Sequence, residues 1–166
     1  MIDGMRVRWT TERVRAVAFV ARCTGSAILA AVVAGAVGLG HPVWAVVSAL
    51  VVSQDSAADT RRSFLWRVAA TAIGLVVAVG VGTLLPGDGT VPALQLALAI
   101  AICAGITRRW PTLRVCMWTA VIVLMTTMPG TTITQTAVER GSEVLLGAAI
   151  AVVLHAEIGA ILARRR

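Results

Sequence analysis

The sequence predicts an all-α integral membrane protein with six transmembrane helices, and three observations support this fold class. The 166-residue chain is 58% hydrophobic and only 14% charged, with a mean hydropathy of +0.86, whereas a soluble domain carries about 25% charged residues. The apolar residues form six runs, and the short polar or Gly/Pro links between them leave no room for a soluble domain. The arginines are concentrated on alternate links, as the positive-inside rule requires of a multi-pass protein.

The six runs differ in length. A helix needs about 20 apolar residues, with a range of about 17–25, to cross a bilayer. The second, fourth and fifth runs are shorter than the others, which predicts helices that are buried among their neighbours or interrupted. In chain order the runs cover residues 16–40, 42–52, 64–85, 91–106, 113–128 and 137–163.

Local signals bound several of these helices. Residues 1–15 precede an apolar run that is too long for a signal-peptide core, which predicts a retained, interfacial cytoplasmic segment. Pro42 favours the start of the second helix, and the polar residues from Ser53 end it. The Pro-Gly-Asp-Gly turn at residues 86–89 ends the third helix, and residues 164–166 form a basic tail.

The arginines predict that both termini are cytoplasmic. All fifteen basic residues are arginine, and thirteen of them fall on the amino-terminal side of the membrane if the six runs alternate in direction. Arg22 and Arg140 are the exceptions. The thirteen are Arg6, Arg8, Arg13, Arg15, Arg61, Arg62, Arg67, Arg108, Arg109, Arg114, Arg164, Arg165 and Arg166.

Several classes of function are not expected. The net charge of +7 is spread between apolar runs and forms no solvated patch, so nucleic acid is not an expected partner. Cys23, Cys103 and Cys116 lie in apolar runs without metal-ligand spacing, which favours small packing residues and no metal. No two-histidine metal motif, phosphate loop or nucleophile–base pattern occurs, so neither an enzyme nor a bound cofactor is predicted.

An internal repeat is predicted from two arginines. Arg67 and Arg140 are about 73 residues apart, and each is followed seven residues later by a glycine. A tryptophan precedes each arginine by 22 or 23 residues. The spacing divides the chain into halves of about residues 16–85 and 91–163. Three helices per half would make the repeats inverted, a common construction in transporters.

Three arginines are candidate anion ligands, and each has a plainer interpretation. Arg22 lies within the first run, where it would line a cavity or extend towards the cytoplasmic interface. Arg67 and Arg140 each begin a helix and would bind an anion there. Alternatively, Arg67 anchors its helix at the interface, and Arg140 pairs locally with Glu139 or Glu143.

Three residues of the sixth run are candidates for proton coupling. Glu143 lies near its start, whereas Glu157 and His155 lie near its cytoplasmic end. A buried carboxyl or imidazole group can carry a proton through a membrane domain. Alternatively, Glu157 contacts the terminal arginines, and His155 is a packed or interhelically bonded residue.

Two motifs resemble the FUSC family of bacterial inner-membrane proteins, which includes fusaric acid resistance proteins and aromatic acid exporters. The family's His-x-x-Trp-Ala, Gln and Arg-x-x-x-Thr-x-x-Gly pattern is matched by His41, Trp44, Ala45, Gln54, Arg67, Thr71 and Gly74. Its Arg-x-x-Glu-x-x-x-Gly pattern is matched by Arg140, Glu143 and Gly147. Ala70 and Asp55 depart from the pattern, at positions where glycine and proline are common.

The resemblance implies export of small, possibly aromatic, organic acids across the bacterial inner membrane, driven by the proton gradient. It also implies a homodimer, as in the related plant malate channels, with the lipid bilayer and organic anions as the other partners. An anion channel and a membrane scaffold that transports nothing are the alternatives. The anion pathway implied by the arginines and the motif comprises Arg22, Arg67, Arg140, Trp44, Gln54 and Thr71.

Overall fold

The computed structural model describes residues 2–54, 56–85 and 92–164, and this part of the chain is helical without any strand. Its helices are α1 (Ile2–Ala36), α2 (Pro42–Val52), α3 (Ala57–Leu84), α4 (Pro92–Arg109), α5 (Val115–Thr126) and α6 (Ile133–Arg164). One 3₁₀ turn, Pro111–Leu113, precedes α5. The all-α prediction is therefore confirmed. Asp55, the turn at residues 86–89 and the last two arginines of the predicted tail lie outside the described residues.

The observed helices keep the predicted order but differ in length. The second helix has the predicted bounds, because a proline and a serine flank it. The first begins at Ile2 instead of residue 16, and the third and sixth also begin earlier than their apolar runs. Polar residues without a proline can continue a helix beyond its apolar part, so apolar runs underestimate helix length.

Three helices are long and apolar enough to cross a membrane. Their apolar parts are Ala16–Ala36, Ala58–Leu84 and Ile133–Ile158. Pro42–Val52 and Pro111–Thr126 are shorter apolar helices. At 1.5 Å per residue, the 11 residues of α2 extend over about 16 Å, roughly half of a bilayer's hydrocarbon core.

The link between α1 and α2 is a tight turn that positions the start of α2. Gly38 has a φ of 75°, in the left-handed region that glycine tolerates best. The N–H of Leu39 donates to the carbonyl oxygen of Ala34 at 3.0 Å, which satisfies one of the last carbonyls of α1. Pro42 then occupies the first turn of α2, and the side chain of His41 does not cap the helix.

The two longest apolar pairings place α3 and α6 against each other. Around them, α2 packs mainly on α6, whereas α5 packs mainly on α3. One buried cluster joins α1, α2 and α6 through Ala30, Ala34, Ala45, Ala49, Val52, Ala148 and Ala151. A second joins α3, α4, α5 and the start of α6 through Ala78, Val81, Ala99, Cys103, Cys116, Ala120, Val123 and Ala137.

Two glycines set the distance between these helix pairs. A Cβ atom on Gly147 of α6 would lie 1.9 Å from the carbonyl oxygen of Ala45 in α2. A Cβ atom on Gly74 of α3 would lie 2.6 Å from the carbonyl oxygen of Cys116 and 2.7 Å from Cβ of Thr119 in α5. Glycine lets these backbones approach closely, as small residues do at helix interfaces in membranes.

Candidate functional site

A cavity of about 80 Å³ lies where α2, α3, α5 and α6 meet. Its wall is apolar except for two arginines and a threonine. The lining residues are Trp44, Val47 and Val51 from α2, Arg67 from α3, Val115, Trp118, Thr119 and Ile122 from α5, and Arg140 and Val144 from α6. The cavity thus brings together Arg67 and Arg140, which are 73 residues apart in the chain.

Arg140 is held on two sides. Its side chain is buried, and Nη1 donates to Oε2 of Glu143 at 2.8 Å. The guanidinium carbon lies 5.6 Å from the centroid of the Trp44 ring, within the range of a cation–π interaction. The local ion pair with Glu143, one of the two interpretations that the sequence left open, is therefore present.

Glu143 connects α6 to the beginning of α2. Its side chain is completely buried. The main-chain N–H of His41 donates to Oε1 at 2.7 Å, and the His41 ring nitrogen Nδ1 lies 3.9 Å from the same oxygen. Because no side chain of α2 caps its first turn, the carboxylate of Glu143 supplies an acceptor at that helix start. The pairing fixes α2 and Arg140 relative to each other.

Arg67 lies in the same cavity with a different environment. Its side chain is only 9% exposed, and Nε has no hydrogen-bond partner among the residues that the structure describes. No carboxylate in residues 2–54, 56–85 or 92–164 forms a salt bridge with it. The hydroxyl of Thr71, one turn further along α3, is also buried and without a partner there.

This arrangement suits an anion with an apolar body. A buried guanidinium without a counter-ion is unfavourable unless a ligand or water supplies acceptors. Arg67 has donors for a carboxylate in a planar fork, and Trp44, Trp118 and Ile122 offer apolar surface beside it. The cavity therefore combines one unsatisfied positive charge with walls that would accommodate a small hydrocarbon group.

A second polar group lies near the other end of α2, away from the residues that line the cavity. Thr60 Oγ1 lies 3.2 Å from Nδ1 of His155, and it accepts the N–H of Gln54 at 3.2 Å. The interpretation of His155 as an interhelically bonded residue agrees with this contact. The side chain of Gln54 donates to the carbonyl oxygen of Val51 at 3.2 Å, so it points back to its own helix.

The remaining predicted site residues do not line the cavity. Arg22 is buried in α1 and Glu157 is exposed on α6. The cysteines are unpaired, and Cys103 and Cys116 are buried packing residues as predicted. No group of three or more metal-ligating side chains occurs in the described part of the chain.

Two features of the site were not predicted. Trp118 was interpreted as an interfacial residue, yet it lines the cavity while remaining 67% exposed. Its place opposite Trp44 in the repeat was the signal that could have identified it. The N–H of His41 is a main-chain donor, and no residue type in the sequence could have indicated its bond to Glu143.

The comparison with known families agrees with this site. The profile of the fusaric acid resistance protein-like family matches residues 29–154, about three quarters of the chain. The chain belongs to this family. As a fusaric acid resistance protein-like chain, it is a multi-pass membrane protein of the transport or resistance type. Neither a curated protein nor a solved structure matches the chain.

The match to the fusaric acid resistance protein-like family includes the whole cavity, from Trp44 to Val144. It also includes Glu143 and the close contact of Gly147 with Ala45. Arg22 and His155 lie outside the matched range. The cavity, and not the polar group near the other end of α2, is therefore the candidate functional site.

Proposed function

We propose that this protein transports small organic, possibly aromatic, acid anions across the bacterial cytoplasmic membrane. The observation that carries the proposal is the convergence of Arg67 and Arg140 on one cavity with an apolar wall. Arg140 is paired with Glu143, whereas Arg67 is buried without a counter-ion among the described residues. An anion that enters the cavity would satisfy Arg67 and place its hydrocarbon part against the tryptophans.

The cavity's size limits what it can hold as it stands. At about 80 Å³ it would admit a carboxylate group or a few water molecules, and a larger acid would need the cavity to open. Trp118 is 67% exposed and stands at the open side of the site, so its movement would enlarge the entrance. Arg22, Gln54 and Thr71 stay candidate pathway residues outside the cavity.

We propose six spans in two inverted repeats, with both termini cytoplasmic. The exchange of partners between the halves supports the repeat: α2 of the first half packs on α6, and α5 of the second half packs on α3. The two glycine contacts, Gly147 with Ala45 and Gly74 with Cys116, correspond in the same way. A pseudo-two-fold axis would therefore pass through the α3–α6 contact, beside the cavity.

A homodimer is part of the proposal. A groove between α3 and α6 is lined by small residues that would let another helix approach closely, among them Gly80, Gly141 and Ser142. The valines at its edges, Val76 and Val138, are largely exposed. Disulfide formation in a cysteine-free background carrying Ser142→Cys would support a dimer through this groove, whereas a monomer in detergent and in bilayers would contradict it.

Proton coupling remains a prediction with three candidate residues. Glu143 is the one whose charge acts on the cavity, through Arg140. His155 contacts Thr60, and Glu157 is exposed near the end of α6. Coupling through Glu143 predicts that Glu143→Gln removes the response of transport to a pH gradient, while Glu157→Gln keeps it.

The experiment that tests the proposal measures flux in proteoliposomes. A panel of aromatic and aliphatic carboxylates is supplied with and without a pH gradient, using the wild type, Arg67→Ala and Arg140→Ala. We expect carboxylate flux in the wild type and its loss in both variants, with helical content and oligomeric state retained. Unchanged flux in both variants would refute the assignment of the arginines.

The same experiment separates the alternatives. Flux that does not respond to the gradient and saturates only weakly would identify an anion channel. No flux of any carboxylate from folded protein, together with one stoichiometric protein partner, would identify a membrane scaffold. The unpaired arginine in the cavity favours transport over the scaffold, because a purely structural protein gains nothing from burying that charge.

A further inference from the structure

The two arginines of the cavity differ in how their charges are balanced. Both oxygens of Glu143 accept hydrogen bonds, from Arg140 at 2.8 Å and from the N–H of His41 at 2.7 Å. A carboxyl group that only accepts hydrogen bonds, one of them from a guanidinium, is in its ionised form. The charge of Arg140 is therefore neutralised within its own helix, three residues away.

Arg67 has no such carboxylate. The residue three positions after it is Ala70, which is fully buried and cannot carry charge. The repeat thus supplies a glutamate to one arginine and an alanine to the other. Two guanidinium groups and one carboxylate leave a single net positive charge at the cavity, and it resides on Arg67.

We propose that Glu143 is a specificity-determining residue: it restricts the cavity to anions with one negative charge, which Arg67 binds. This inference rests on the proposed function, since it describes which anions the same site accepts. A monocarboxylate would leave the buried site neutral. A dicarboxylate would bring a second charge into an apolar cavity where Arg140 is already occupied, and burying an unpaired charge is strongly unfavourable.

The test measures binding, so that it does not depend on transport. Butyrate and succinate have the same number of carbons and differ by one carboxylate, and neither absorbs where tryptophan emits. Trp44 and Trp118 line the cavity and report its occupation by a change in fluorescence. Titrations in detergent near pH 8, where histidine is ordinarily neutral, give the ratio of the two dissociation constants.

Three variants change the charge of the site in steps. Glu143→Gln frees the charge of Arg140 and makes the site doubly positive. The double variant Arg140→Gln/Glu143→Gln removes the pair and restores a single charge. Arg67→Gln leaves no net charge. Glu139→Gln makes the same substitution at an exposed position of α6 and serves as the control.

We expect the wild type and Glu139→Gln to prefer butyrate. Glu143→Gln should shift the ratio towards succinate by about tenfold or more, because one unit charge a few Å away at an effective dielectric constant of about 20 contributes more than that factor. The double variant should return the ratio towards the wild-type value. Arg67→Gln should lose saturable binding of butyrate.

Two results would overturn the inference. One is an unchanged ratio in folded Glu143→Gln; the other is a double variant that is at least as shifted as the single one, which would mean that the pair acts only by holding α2 in place. Absence of butyrate binding to the folded wild type would also overturn it. Flux is measured in parallel: binding with the expected ratios but no flux would refute the proposed transport and leave the charge selection standing.

Discussion

Replacing Gly147 with alanine should separate α2 from α6. The new Cβ atom would lie 1.9 Å from the carbonyl oxygen of Ala45 and 2.6 Å from its carbonyl carbon. Real Cβ atoms essentially never approach another heavy atom within 3.0 Å, so one helix would have to move by at least about 1.1 Å. Both atoms belong to the backbone, and neither can rotate out of the way.

The cost can be set against the gain in helix propensity. Overpacking of a well-packed contact costs about 1–3 kcal/mol and occasionally more, whereas alanine in place of a helical glycine gains about 1 kcal/mol. We expect a net loss of about 2 kcal/mol, because the clash involves backbone on both sides. The same shift would lengthen the hydrogen bond from His41 to Glu143, so anion flux should also fall.

Thermal unfolding in detergent and flux in proteoliposomes measure the two effects. Gly105→Ala is the matched control, because nothing lies within 4 Å of a Cβ atom there; its stability should be equal to or above that of the wild type. Gly82→Ala is a sharper comparison. Its Cβ atom would lie 2.2 Å from Cδ1 of Ile133, the movable end of a side chain, so the loss should be smaller than for Gly147→Ala. A Gly147→Ala protein as stable and active as Gly105→Ala would refute the reasoning.

The remaining predictions concern buried polar groups. Arg67→Gln should keep or raise the melting temperature while abolishing carboxylate flux, because it removes a buried charge without a counter-ion; a large loss of stability would contradict this. Arg140→Gln should instead destabilise the protein by about 3–5 kcal/mol in thermal unfolding, because it leaves Glu143 buried and unpaired. Thr60→Val should cost about 1–3 kcal/mol, since it removes the partner of His155. It should leave the butyrate-to-succinate ratio unchanged, and a shifted ratio would connect that group to the cavity.

Much of the architecture could be predicted because its signals are local. The bounds of α2 were predicted correctly from Pro42 and Ser53, which lie next to each other's helix in sequence. The start of α1 was placed too late, since polar residues that continue a helix beyond the membrane leave no mark in an apolar count. Helix order and class follow from composition, whereas helix length depends on what surrounds each end.

The site was predictable only as far as the repeat extends. The recurrence of arginine and glycine indicated that Arg67 and Arg140 are equivalent, and both line the cavity. Their inequality depends on which carboxylate each one reaches, and local spacing left Glu139 and Glu143 both open for Arg140. The hydrogen bond from His41 to Glu143 joins residues 102 positions apart, and nothing in either local sequence indicates it.

That separation also has a consequence for how the chain is made. The short α2 leaves the ribosome long before α6, yet Glu143, Gly147 and the carbonyl of Val144, which accepts the hydroxyl of Ser48 at 2.8 Å, are its main supports. An 11-residue helix is too short to settle across a bilayer without neighbours. Until the last helix is synthesised, α2 therefore has no stable resting place, and a nascent chain that stops before Ile133 would present it as a target for membrane quality control.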